Sequence, residues 1–143
     1  MDKAYLHAMR QHLETCKADL QQLYETNATG TMSRFHTKAA ERTLQVLIEA
    51  CIGLAKRWVR LATQRVPINA YQAFSDLAQI KDGLNLQQWK AIVGMRNVLI
   101  HDYLQVDPEI IIQLIEEKRY MLLFEFADEA LAVLDNNEHL KPA

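Results

Sequence analysis

Large apolar residues recur at alternating steps of three and four between positions 44 and 61, and this spacing constrains the fold more than any other feature. The series comprises Leu44, Leu47, Cys51, Leu54, Trp58 and Leu61. Steps of three and four return to the same face of an α-helix, so the series predicts one long helix with a continuous apolar face. A face of this kind is typical of a helix in a bundle.

Similar spacing elsewhere predicts five helices, over residues 2–26, 33–64, 70–80, 86–101 and 108–134. Turn residues separate them, most clearly Gly30, Asp82-Gly83 and the Asp107-Pro108 pair that starts the fifth helix. The short third helix is expected to turn Tyr71, Phe74, Leu77 and Ala78 inward. No segment alternates at period two for long enough to form a strand. The predicted fold is an all-α, up-and-down bundle of about five helices, with the short helix as an insert.

The chain has 143 residues, which fits one domain over residues 1–143, with a frayed tail at 136–143. Its formal charge of −2 excludes a globally basic nucleic-acid-binding protein. The two cysteines form no CxxC pair, the N-terminus is polar, and no apolar run approaches the length of a membrane helix. These features predict a cytoplasmic protein with reduced thiols and no membrane contact.

One local basic cluster stands out on the second helix. Lys56, Arg57 and Arg60 lie within one turn and a half of each other. They are candidates for contacts with an RNA backbone. The alternative is a solvated helix face without a binding role.

The segment 96-RNVLIHDY-103 surrounds an apolar centre with polar side chains near the predicted end of the fourth helix. At about 100° per residue, Arg96 and Tyr103 share a face, whereas His101 lies about 140° from Arg96 unless the last turn frays. An imidazole transfers protons near neutral pH, and a guanidinium binds phosphate in a planar fork. Without a metal, this pair suits RNA cleavage by the neighbouring 2′-hydroxyl, with His101 moving the proton and Arg96 stabilising the phosphorane.

Because one histidine is few for a reaction that needs both a base and an acid, a symmetric dimer is expected to bring two copies of the segment together. The alternative is structural: Arg96 and His101 cap carbonyl groups at a helix end, and Tyr103 is a core aromatic residue. The chemistry of the side chains alone leaves both interpretations open.

Arg96-Asn97-x-x-x-His101-x-Tyr103 resembles the Rx4HxY signature of the HepT-like toxins of the HEPN superfamily. The similarity extends to the surrounding residues 92–111, to residues 39–55, and to Tyr71 and Phe74 in the third helix. Met95 stands where the family often has an aromatic residue.

This resemblance implies a homodimeric, metal-independent ribonuclease of a type VII toxin–antitoxin system, with the site between protomers. By position, Arg96 and His101 are the catalytic residues and Asn97 the supporting polar residue. Tyr103 corresponds to a tyrosine that is adenylylated by an antitoxin, a minimal nucleotidyltransferase of the MNT type. Added AMP would place bulk and negative charge where RNA phosphate binds. Cleavage would need no cofactor, and the antitoxin would consume ATP.

Two other functions are compatible with parts of the sequence. A non-catalytic HEPN scaffold would bind a nucleotidyltransferase or a nucleotide, but it would not need both Arg96 and His101. A DNA-binding regulator is disfavoured, because the sequence contains no recognisable helix-turn-helix and no strongly basic face. No contact with DNA is therefore expected.

Overall fold

A computed structural model describes residues 3–101 and 106–140, apart from the side chains of 137–140. Within these ranges the chain forms six helices and no strand. They are α1 (Lys3–Ala28), α2 (Arg34–Thr63), α3 (Ala70–Ile80), α4 (Leu86–Leu99), α5 (Pro108–Glu116) and α6 (Met121–Leu140). The predicted all-α bundle is confirmed.

Helix α2 is the centre of the bundle. It packs against every other helix that the structure describes. The predicted apolar series is buried along α2 except at Leu61, which is half-buried. Its N-terminus is fixed by Ser33, whose hydroxyl accepts from the His36 amide while the His36 ring accepts from the Ser33 amide.

The prediction of one helix over residues 108–134 was wrong, because a turn at residues 117–120 divides it into α5 and α6. Lys118 adopts the left-handed conformation, with φ of +51°. Its amide donates to the Ile115 carbonyl, and the Arg119 amide donates to the Leu114 carbonyl, which together end α5 in a Schellman motif. The Lys118 ammonium lies 4.2 Å from the ring centre of Tyr24. The chain therefore turns here without the glycine that usually marks such an end.

Three other helix ends differ from the predictions by two residues or more, and one side chain also differs from its prediction. Helix α1 ends at Ala28 rather than at residue 26, α4 ends at Leu99 rather than at residue 101, and α6 continues past residue 134 to Leu140. Tyr71 does not point into the core as expected, since 40% of it is exposed, whereas Phe74 and Leu77 are fully buried.

An aromatic cluster joins α3, α4 and α6. The Phe74 and Trp89 rings stack with centroids 4.4 Å apart, and the Phe126 ring lies 4.7 Å from that of Trp89. Phe124 is buried as well, so both phenylalanines of α6 belong to the core. Aromatic packing of this kind fixes the position of α3 along α4.

Cys16 and Cys51 are free thiols buried in the core. Burial and the neighbouring Asp19 raise the pKa of Cys16 to about 11, and complete burial raises that of Cys51 further. The Cys51 thiol donates to the Leu123 carbonyl, with the sulfur and oxygen 3.4 Å apart.

Over residues 3–101 and 106–140, no helix is both long and apolar enough to cross a membrane.

Candidate functional site

The polar residues of the candidate site lie where α3 meets the C-terminal half of α4. The two helices run antiparallel: Phe74 pairs with Trp89, and Tyr71, one turn earlier on α3, reaches Gly94 and Asn97 further along α4. A Cβ atom on Gly94 would lie 3.8 Å from the Tyr71 hydroxyl, an ordinary contact. The aromatic packing thus places Tyr71 beside the predicted motif.

Arg96 and Asn97 are joined by a hydrogen bond between their side chains. Arg96 Nε donates to Asn97 Oδ1 over 2.9 Å, and Asn97 Nδ2 donates to the Tyr71 hydroxyl over 3.3 Å. Successive residues on a helix do not face each other, so the Arg96 side chain must bend along the helix to make this contact. The result is a chain of three polar groups, from Tyr71 through Asn97 to Arg96.

The charge of Arg96 is not neutralised by any carboxylate in the part of the chain that the structure describes. The side chain is half-buried. Because Nε donates to Asn97, the two terminal nitrogens are the donors that remain for a ligand. Two N–H groups in one plane match two oxygens of a phosphate.

His101 lies two residues beyond the last residue of α4. The Ile100 amide donates to the Arg96 carbonyl, and the His101 amide donates to the Val98 carbonyl, so the helix closes with a tighter final turn. The residue is exposed to solvent. The predicted departure from ideal helix geometry therefore occurs just before His101.

Tyr103, the predicted site of adenylylation, lies outside the described residues together with Asp102. Its role stays a prediction from the sequence.

The three residues of the basic cluster have different surroundings. The Arg57 guanidinium lies over the Tyr5 ring, 3.6 Å from its centre, and is half-buried. Lys56 is half-buried, and Arg60 is exposed in the last turn of α2. Arg57 thus has a structural contact with α1, and Arg60 is the most accessible of the three.

Tyr71 is the residue at this site whose place the sequence did not indicate. Its spacing from Phe74 predicted a core position, and the spacing alone does not distinguish a core tyrosine from one at the rim. Gly94 gives no signal for it, because a Cβ atom at that position would make only an ordinary contact with the Tyr71 hydroxyl.

An apolar groove of about 200 Å³ runs beside the same part of α4. Ile92 and Met95 line it from α4, and Leu114, Leu122 and Leu44 line it from the helices around them.

In the described residues, no three His, Cys, Asp or Glu side chains are grouped so that they could hold a metal ion.

Comparison with known proteins gives matches of three kinds: to a family model, to a curated nuclease and to solved structures. A family model described as ribonuclease HepT-like matches residues 9–130. The chain is 25% identical over 111 residues to the mRNA nuclease HepT of Shewanella oneidensis, covering 73% of this chain and 80% of that protein. It also superposes on a chain in a crystal structure of a toxin–antitoxin with AMP-PNP, with a TM-score of 0.73 and 21% identity over 92% of this chain and 99% of that one.

The structural match, at this low identity, shows that the helical fold is shared. The family model carries the assignment, because it spans most of the chain and includes α2, α3, α4 and the residues 96–103. The resemblance to the HepT-like family is thereby confirmed, and the chain belongs to the ribonuclease HepT-like family.

Proposed function

We propose that this chain is a ribonuclease toxin that cleaves RNA with Arg96 and His101 in a site shared between two protomers. The observation that carries the proposal is the state of Arg96, a guanidinium held by Asn97 at Nε and paired with no carboxylate among the described residues. The mRNA nuclease to which the chain is similar supports RNA as the substrate.

The reaction needs two proton transfers and one site of charge stabilisation. One imidazole takes the proton of a ribose 2′-hydroxyl, whose oxygen attacks the adjacent phosphorus. A second imidazole gives a proton to the 5′-oxygen as the bond from phosphorus to that oxygen breaks. Arg96 stabilises the extra negative charge of the phosphorane, and the products are a 2′,3′-cyclic phosphate and a 5′-hydroxyl.

Two imidazoles require two copies of His101, and therefore a homodimer. Apolar side chains within the motif support such pairing: Val98 and Ile100 are each nearly half exposed in the single chain. Surface of this kind is typical of contact regions between proteins. Sedimentation should give twice the chain mass of 16.5 kDa, and dilution that yields monomer should abolish cleavage.

The distribution of charge favours an RNA ligand more than the net charge does. Residues 34–65 contain seven Lys or Arg and two Glu, whereas residues 121–140 contain five Asp or Glu and no Lys or Arg. The positive charge is thus concentrated on α2, where Lys56, Arg57 and Arg60 are the proposed contacts with the RNA backbone. Substituting Arg60 by Gln should weaken RNA binding and flatten its salt dependence.

The central experiment measures cleavage of cellular RNA in EDTA by the wild-type protein and by Arg96→Ala and His101→Ala. Each substitution should lower the rate by about 100-fold or more, because each removes a group that acts on the transition state. Lys90→Ala is the matched control, since it removes an exposed positive charge from another face of α4. Cleavage that survives both test substitutions would remove these residues from the mechanism.

We further propose that an MNT-type antitoxin neutralises the toxin by transferring AMP from ATP to Tyr103. The toxin–antitoxin structure with the same fold supports the presence of an antitoxin. Co-expression with a nucleotidyltransferase of the MNT type should increase the intact mass by that of AMP. Tyr103→Phe should prevent this increase, whereas Tyr24→Phe should leave it unchanged. A non-catalytic scaffold would leave cells growing when the chain is induced alone, whereas the toxin should arrest them.

A further inference from the structure

The two neighbours of the Asn97 side chain determine which way its amide group is turned. A guanidinium only donates hydrogen bonds, so the Asn97 atom that faces Arg96 Nε must be the carbonyl oxygen Oδ1. The amide nitrogen Nδ2 then points away from Arg96 and meets the Tyr71 hydroxyl. A flipped amide would place two donors against each other at Nε.

We propose that Tyr71 is a positioning residue for Arg96 and acts through Asn97. By accepting from Nδ2, the Tyr71 hydroxyl holds the amide so that Oδ1 stays against Arg96 Nε. That contact in turn leaves the two terminal nitrogens of Arg96 directed at the phosphate. The inference rests on the proposed ribonuclease function and deepens it by adding a residue from α3 to the site.

The position of Tyr71 is built by the fold. One turn along α3, Phe74 is fully buried and stacked on Trp89, so α3 is anchored to α4 at that point. The hydroxyl lies beside Gly94 of α4, at a distance where even a Cβ atom would make an ordinary contact of 3.8 Å. Tyr71 is 40% exposed, so its hydroxyl lies at the surface, where it meets the Asn97 amide.

Removing the hydroxyl should change the orientation of Arg96 but not the stability of the fold. Tyr71→Phe keeps the ring, and the freed Nδ2 can bond to water because the contact is exposed. We expect an unchanged thermal midpoint and a kcat lower by about three- to tenfold, the range expected from one lost hydrogen bond. KM should change less than twofold, because Arg96 acts on charge that develops in the transition state.

A double-mutant cycle separates action through Asn97 from direct contact with RNA. Asn97→Ala should lower kcat at least as much as Tyr71→Phe, and combining the two should add nothing further. Tyr24→Phe is the matched control, since it removes the same atom from α1, a helix that does not pack on α4 in the described residues. Additive losses in the double variant would overturn the proposed route through Asn97.

A measurement without RNA tests the inference even if the chain cuts nothing. Hydrogen exchange at Arg96 Nε, followed by NMR and assigned by its loss in Arg96→Lys, should be slower in the wild type than at the exposed Arg65. Tyr71→Phe should accelerate it to the rate found in Asn97→Ala. An unchanged exchange rate in Tyr71→Phe overturns the positioning role. Absence of cleavage by the wild type, with exchange behaving as expected, overturns only the proposed function.

Discussion

The antiparallel pair α3 and α4 has two ends that differ sharply in character. At one end, Phe74 and Trp89 stack in the core and are almost completely buried. At the other, only a few residues away along both helices, Tyr71, Asn97 and Arg96 form a chain of hydrogen bonds at the surface. The same two helices therefore provide both the rigid packing and the polar groups.

Stability and function are divided between the two ends of this helix pair. Burial of large aromatic side chains contributes the free energy that fixes the relative position of α3 and α4. The exposed hydrogen bonds contribute little to stability, because water replaces them when they break. The main effect of these hydrogen bonds is therefore to orient the Arg96 side chain. Substitutions at the aromatic end should lower stability, and substitutions at the polar end should lower activity.

The largest expected effect on stability is that of Phe74→Ala at the aromatic end. Removing a fully buried ring should lower the free energy of unfolding by about 3–5 kcal/mol, measured by urea denaturation. The control is Phe35→Ala, which removes a ring that is 76% exposed and should change stability by less than about 0.5 kcal/mol. A loss below about 1 kcal/mol for Phe74→Ala would show that the cluster is not the anchor of α3.

Arg96→Lys should produce the opposite pattern at the polar end. The lysine keeps the positive charge but has no Nε–H for Asn97 and no planar pair of donors for phosphate. The rate of RNA cleavage should fall at least about tenfold, with unfolding free energy unchanged within about 0.5 kcal/mol. Steady-state kinetics and urea denaturation on one preparation give both values. A variant that cleaves normally would mean that charge alone is sufficient.

Asn97→Asp is a finer test of the same end. The carboxylate still accepts from Arg96 Nε, but its negative charge offsets that of the guanidinium and repels RNA phosphate. We expect KM for RNA to rise about fivefold at low salt and this increase to shrink at high salt, because the groups are partly exposed. An increase of the same size at every ionic strength would contradict an electrostatic origin.

The sequence predicted the aromatic end of the pair better than the polar end. Phe74 and Trp89 follow the apolar spacing of their helices, and spacing of this kind reports burial directly. Tyr71 follows the same spacing, but it lies in the first turn of α3, and its exposure depends on how that turn lies against α4. This is a property of tertiary packing, which the pattern of one helix does not contain.

A similar limit applies to the turn that separates α5 from α6. Apolar residues continue at helical spacing on both sides, and the turn contains no glycine or proline. Lys118 adopts the left-handed conformation that glycine usually provides, supported by two backbone hydrogen bonds and by its contact with Tyr24. The candidate residues Arg96, Asn97 and His101 were chosen from the resemblance of the motif to the family signature, because the chemistry of their side chains alone left two interpretations open. Their roles stay predictions.

The smallest expected effect is the pH dependence of stability that the buried thiols cause. Like the aromatic end of the helix pair, these thiols belong to the core. Burial raises the pKa of Cys16 from 9.0 to about 11 and raises that of Cys51 further, so the folded protein keeps both protons when the unfolded chain begins to lose them. The folded state then binds more protons than the unfolded state, and stability falls as the pH rises through about 9, where the unfolded thiols lose their protons. From pH 8 to pH 9 the free energy of unfolding should fall by about 0.5–1 kcal/mol.

The double variant Cys16→Ala/Cys51→Ala isolates the thiol contribution from other groups. Burial also raises the pKa of Tyr120, but a tyrosine titrates at higher pH and stays in the variant, so only the slope between pH 8 and pH 9 should flatten. In the wild type at pH 8, a thiol-specific reagent should react only as fast as the protein unfolds. Rapid reaction of the native protein would mean that water reaches the centre of the bundle. The core would then no longer contrast with the exposed polar end.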